Sequence, residues 1–131
     1  MSEYGAVIRW QKAEDEAFSD NQYSRGHSWE FDGGVTVPAS SSPHVVPLPF
    51  SGIAAKQKYV IDSYVDEAIG VLEEDESGRS SVTVVTLRPR IEFVGSKVPS
   101  SAQLDKLHHL AHNNCFIANS VKTEIRVEMR D

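Results

Sequence analysis

Two long β-like runs, Tyr59–Leu72 and Ser81–Val94, constrain this chain more than any other feature, and between them lie the acidic stretch Glu73–Glu76 and Ser77-Gly78. In the second run Val85, Leu87, Ile91 and Phe93 share one face, while Arg88, Arg90 and Glu92 share the other. A period of two with one apolar side is the pattern of an antiparallel strand, buried on one face and wet on the other. The pair therefore predicts a β-hairpin with a solvated turn. The carboxylates of that turn lack the alternating ligands and central glycine of a calcium loop, so they carry no metal chemistry.

The remaining segments extend the same plan. Tyr4, Ala6, Ile8 and Trp10 alternate with Arg9 on the opposite side, which predicts a strand entering a core. A second short strand is expected within Tyr23–Phe31, followed by a turn at Asp32-Gly33-Gly34, where glycine takes positive φ without steric cost. From Val35 to Pro49 four prolines, Pro38, Pro43, Pro47 and Pro49, remove backbone donors, so an extended loop is expected and a helix or central strand is excluded. Its apolar members Val45, Val46, Leu48 and Phe50 should hold it against the protein. One long helix is expected from Ser100 to about Asn114, with Ser100 and Gln103 at capping-box spacing and Pro99 just outside. Leu104, Leu107 and Ala111 form its apolar stripe, Leu110 lies at the edge, and Asn113-Asn114 supplies a stop. The last segment alternates cleanly, with Val121, Thr123, Ile125, Val127 and Met129 opposite Lys122, Glu124, Arg126, Glu128 and Arg130. Hairpin strands with one helix before the last strand predict an α+β fold, an antiparallel sheet with packed helices.

Composition sets the class. With 131 residues and 40% hydrophobic content, the chain can bury one core, so residues 1–131 are expected to form a single domain. The net charge of -6 and the scatter of Lys and Arg, densest at Arg88-Pro89-Arg90, argue against a nucleic acid partner. Met1–Trp10 shows no secretory pattern and no run approaches the length of a membrane span, so no membrane partner is expected. One cysteine, Cys115, excludes an intrachain disulfide and fits a reducing, cytoplasmic setting.

Three stretches carry a family resemblance. His112-Asn113-Asn114-Cys115-Phe116-Ile117-Ala118-Asn119-Ser120-Val121-Lys122-Thr123-Glu124 resembles the second-cysteine motif of OsmC/Ohr-like proteins: helix, Cys, short helical turn, final strand. Asn21–Gly34 and Ala39-Ser40-Ser41-Ser42-Pro43-His44 look like one subgroup of that family, in the family's order. The resemblance implies a thiol peroxidase acting on organic hydroperoxides, an intertwined homodimer reset by a dithiol reductant, with no cofactor. It further implies that Cys115 is the second, resolving cysteine and that Arg25 is the arginine facing the reactive sulfur. A free thiol with pKa of about 8.5 is mostly protonated at neutral pH, and a nearby guanidinium would hold it as thiolate.

The chain also departs from the family. Members carry a long apolar helix with the attacking cysteine and a nearby glutamate, whereas here Pro47-Leu48-Pro49-Phe50 runs directly into Ser51-Gly52-Ile53-Ala54-Ala55-Lys56, which resembles that helix's last turn. Either the polypeptide has lost the helix or the sequence as written omits it. Loss would uncover core faces worth about 25 cal/mol per Å² of apolar area. The departure sets a second reading beside the peroxidase: a non-catalytic member that binds a small apolar or electrophilic ligand in the dimer cleft.

Each site residue has an ordinary reading too. Cys115 falls near the Leu104 stripe, where a free cysteine serves as a small buried hydrophobe. Arg25, among Ser24, Gly26 and Ser28, reads equally as a solvated surface arginine. His108, His112 and Cys115 have zinc-like spacing, but neighbouring His109 and the lack of a second Cys argue for a polar helix face, so no metal is expected. His27 and His44 titrate near neutrality as acid–base groups would, and loop polarity explains them as well.

Overall fold

In a computed structural model the described residues are 1–18, 23–40 and 49–130. They form the order β1 (Ser2–Gln11), β2 (His27–Phe31), β3 (Thr36–Ala39), α1 (Pro49–Lys56), β4 (Val60–Glu74), β5 (Ser80–Leu87), β6 (Pro89–Val94), α2 (Ser101–Asn113), α3 (Phe116–Ser120) and β7 (Glu124–Val127). The strands make one sheet in the order β3-β2-β1-β4-β5-β7, with β6 also on β4.

The long hairpin is the frame. β4 pairs antiparallel with β1 along Ser63–Leu72, and its other edge takes β6 at Val60–Asp66 and β5 at Ile69–Glu74. The second run is thus one strand interrupted at Arg88, where Pro89 offers no backbone donor. Asp66 fills the gap. Its buried carboxylate accepts the Arg88 backbone N–H at 2.7 Å. Arg130 closes the same spot, donating to the carbonyls of Arg88 at 2.7 Å and Val65 at 3.2 Å and pairing with Glu67 at 2.7 Å.

The turn at the hairpin's tip is polar, as expected. Asp75 Oδ1 accepts from the Ser77 and Arg79 backbone N–H groups at 2.8 and 3.0 Å, and Gly78 takes φ 77°. Of the two glycines in the β2–β3 turn, only Gly34 has positive φ, at 83°. The expected extended loop contains a strand after all, β3, but at the sheet edge, where Pro38 opposite Ser28 is tolerated. Pro43, His44, Val45, Val46, Pro47 and Leu48 lie outside the described residues, as do Asn21 and Gln22.

Two expectations need correction. The sheet is mixed rather than antiparallel throughout, because β7 runs parallel to β5, with Val85 opposite Ile125 and Leu87 opposite Val127. A strand reached through α2 and α3 has enough crossover chain to return in the same direction, which a tight turn does not allow. Tyr4, placed by its alternation among core residues, is 56% exposed, because the helices do not extend over that end of β1.

The helices cover one end of one sheet face. Trp10, Tyr59, Ile61 and, partly, Tyr64, Ile91 and Phe93 meet Phe50, Ala54 and Ala55 of α1 and Leu107 and Ala111 of α2. Trp10, Phe18 and Tyr23 add an aromatic cluster, with the Phe18 and Tyr23 rings stacked at 4.5 Å. Just past α1, Lys58 takes φ 65°, and the N–H groups of Lys58 and Tyr59 bond the carbonyls of Ala55 and Ala54, both at 3.0 Å. This Schellman ending turns the chain directly into β4.

Replacing Asp66 tests the clasp at the interruption. Asp66→Ala should lose about 1–3 kcal/mol in urea unfolding, because the Arg88 N–H is left unpaired. Asp66→Asn keeps an acceptor oxygen and should lose much less; equal losses would show that the bond to Arg88 is not what matters.

Candidate functional site

α2 begins as its sequence requires. The Ser100 hydroxyl accepts the Gln103 N–H at 3.3 Å, and the Gln103 side chain accepts the Ser100 N–H at 2.8 Å. Its end differs in detail from the expectation. Asn114 caps the helix at φ −98°, outside the left-handed region, and both its backbone N–H and its Nδ2 donate to the Leu110 carbonyl, at 3.1 and 2.8 Å. The chain then passes through Cys115 into the five-residue α3, tied by Asn119 N–H to the Cys115 carbonyl at 3.0 Å.

This turn sets Cys115, half-buried, at the wall of an apolar hollow of about 160 Å³. Phe50 of α1, Tyr64 of β4, Leu87 of β5 and Ile125 and Val127 of β7 line it, together with His108, Ala111 and His112 of α2. No Arg or Lys is among the described lining residues. Burial and the charge of Asp66 push the Tyr64 phenol upward, so it is a neutral hydroxyl at any ordinary pH.

His108 is the residue the sequence reading placed wrongly. It is buried, 8% exposed, with its ring centroid 4.4 Å from that of Phe50. Leu104, Leu107, His108 and Ala111 fit the i, i+3, i+4, i+7 pattern of a buried helix face, and that spacing was the available signal. Burial drives its pKa down from 6.5 to about 4, against the opposing charge of Asp105, so it stands as a neutral imidazole near pH 7. The same residue also lines a second, polar hollow with Asp105, His109, His112 and Met129.

Arg25 sits elsewhere in the subunit. Its guanidinium stacks 4.7 Å over the Tyr23 ring and donates to the Tyr23 carbonyl at 3.1 Å, in a small hollow shared with Trp10 and Ser51. The Tyr23 hydroxyl is buried there without a hydrogen-bond partner of normal geometry; burial raises its pKa and prevails over the Arg25 charge and, less strongly, Ser51, which act to lower it. The hollows of Arg25 and Cys115 share no lining residue, but they are lined by neighbours: Ser51 and Phe50 are consecutive in α1, and Trp10 is paired with Tyr64 in the sheet. His27 is half-buried on β2, its Nδ1 donating to the Arg25 carbonyl at 2.8 Å, which explains it as a structural group. His44 lies outside the described residues. His108, His112 and Cys115 share a hollow, yet among the described residues no three His, Cys, Asp or Glu side chains converge tightly enough to hold a metal. No helix of the described residues is long and apolar enough to cross a membrane.

A mixed sheet covered at one end by helices, with a cysteine between the last two helices and a final parallel strand, defines an α+β protein with one thiol at an apolar hollow. No family model and no curated protein matches the chain. Among solved structures it is similar to an OsmC-like protein of unknown function from Vibrio cholerae O1 biovar eltor, with 47% identity, 99% of this chain and 100% of that chain covered, and a TM-score of 0.59. The chain belongs to the OsmC-like proteins.

The buried imidazole gives acid sensitivity of a definite sign. A base whose folded pKa lies below its unfolded value contributes stability that is complete above the unfolded pKa and is lost as pH falls toward the folded one. Unfolding free energy should therefore decline between pH 6.5 and about 4, by up to about 3 kcal/mol from this group. Urea titrations across that range should show His108→Phe with a shallower decline; an unchanged slope would mean that other groups govern the acid limb.

Proposed function

We propose that the protein reduces organic hydroperoxides through thiol chemistry at Cys115, as one OsmC-like domain over residues 1–131 working as a cytoplasmic homodimer. The observation that carries the reading is the setting of Cys115, the chain's one thiol, at the wall of an apolar hollow between two imidazole-bearing turns of α2 and the sheet. Membership of the OsmC-like proteins and the resemblance of the Cys115 segment to a redox-cysteine motif support it. α1 carries no cysteine, so within these residues Cys115 has to supply the nucleophile itself.

The chemistry balances with one thiol and an external reductant. The Cys115 thiolate attacks the distal peroxide oxygen, the O–O bond breaks, and the alkoxide leaves as alcohol once protonated; the sulfur becomes a sulfenic acid. A dithiol then reduces it, giving the free thiol, water and a disulfide of the reductant. His108 and His112 are the titratable nitrogens nearest to hand for these protons, since both line the hollow. Arg25 would activate the sulfur only across a subunit boundary or after a shift of α1.

The apolar lining without a cation favours a second reading, a member that binds an apolar ligand and performs no turnover. A coupled assay distinguishes the two. Protein of verified mass and single-thiol content should consume cumene hydroperoxide in the presence of a dithiol, and Cys115→Ser should lose the activity by at least 100-fold. Absence of turnover in the wild-type protein would leave the binding reading.

The homodimer has its own support. Trp29 and Phe31 face Ile8 and Ala6, and Val37 faces Trp29, so these side chains continue the same sheet face that the helices bury at the Trp10 end. Trp29, Phe31 and Val37 are exposed nonetheless. An apolar face left open on one subunit is what a second copy would cover. Sedimentation should give about twice 14.5 kDa, and Trp29→Asp should shift it toward the monomer; a monomeric wild type would remove the dimer from the proposal.

A further inference from the structure

We propose that His108 is the specificity residue of the hollow, hydrogen-bonding an uncharged hydroxyl-type head group while the ligand's apolar body lies against Phe50. The inference rests on the reading of this hollow as the substrate site and adds which ligands it takes. Three observations carry it.

The His108 residue is 8% exposed and its ring packs on Phe50, yet its nitrogens are not among the fully enclosed unpaired atoms, of which Tyr23 Oη is the one among the described residues, so they open onto the two hollows that the residue lines. An imidazole nitrogen that opens onto a cavity can bond a polar group that enters it. The second observation is position. His108 lies where the apolar hollow of about 160 Å³ meets the polar one of about 170 Å³, since His112, Ile125 and Val127 also line both. A ligand with an apolar body and one polar end would straddle that divide. Volumes of this order accept a benzene-sized body.

The third is charge. The imidazole is neutral near pH 7, so it can accept from an O–H group, and it offers a carboxylate no ion pair. Asp105, lining the polar side, repels an anionic head as well. A hydroperoxide or an alcohol satisfies these conditions; a fatty-acid-like head does not. The alcohol released by a hydroperoxide would be held by the same bond until it leaves.

Binding without chemistry tests the idea on the full chain. By calorimetric titration at pH 7, benzyl alcohol should bind more tightly than benzoate or benzylamine. His108→Phe should weaken benzyl alcohol about five- to tenfold, the loss of one hydrogen bond, and His108→Gln should recover part of it. A failure of peroxide turnover by the wild-type protein with this ranking intact would overturn the peroxidase and leave the His108 assignment standing. Tighter binding of either charged analogue, no binding to the wild type, or undiminished binding to a His108→Phe protein with native circular dichroism would overturn the assignment. Should the Phe variant not fold, the wild-type ranking and the Gln variant decide it by the same criteria.

Discussion

β4 has to satisfy three partners with two edges, and most of the molecule follows from how it does so. One edge is occupied by β1, and the other is shared between β5 and β6 with a break at Arg88. A break inside a sheet exposes backbone groups that must find partners or cost about 1–3 kcal/mol each. Asp66 and Arg130 provide them from the neighbouring strand and from the chain beyond β7. The Asp66 carboxyl is held above the usual carboxylate range, mainly by burial, with the Arg88 bond and the Arg130 charge acting in the opposite direction. Below its folded pKa that burden disappears, so this group favours the folded state slightly more in acid, whereas His108 opposes it there. Leu87 and Pro89, on either side of the interruption, both line the hollow.

What could be read from the letters was whatever is periodic. The alternation of Ile91 and Phe93 against Arg90 and Glu92, the capping box at Ser100 and the alternation of Ile125 and Val127 against Glu124 and Arg126 all rest on local geometry, and each recurs in the structure, whereas β5 is half-buried on both faces. The direction of β7 was not legible, because strand alternation is the same for parallel and antiparallel neighbours. Tyr4 misled for a related reason: alternation assigns a face, and only tertiary packing decides how far along it the cover extends. His108 misled differently. Polarity outweighed spacing in the reading, although its position on the helix matched the buried stripe as well as Ala111 did.

The site shows the same division. That Cys115 follows a helix and precedes a short turn was visible in its sequence context, and the structure adds the apolar walls contributed by β4, β5 and β7, which no local pattern encodes. Arg25 is instructive in the opposite direction. Its resemblance-based partner is the reactive sulfur, but within one subunit its guanidinium is engaged with Tyr23 and lies across α1 from Cys115. The two hollows are lined by neighbouring residues of the eight-residue α1, Phe50 and Ser51.

α1 ends at Lys56, apolar side chains on β2 and β3 are exposed, and the described residues lining the Cys115 hollow include two imidazoles but no Arg or Lys. Imidazole neutral by burial is a weaker activator of a thiol than a guanidinium, since it adds no charge to hold the thiolate. It is a better partner for an uncharged oxygen. The balance of the site therefore tilts from rate toward recognition.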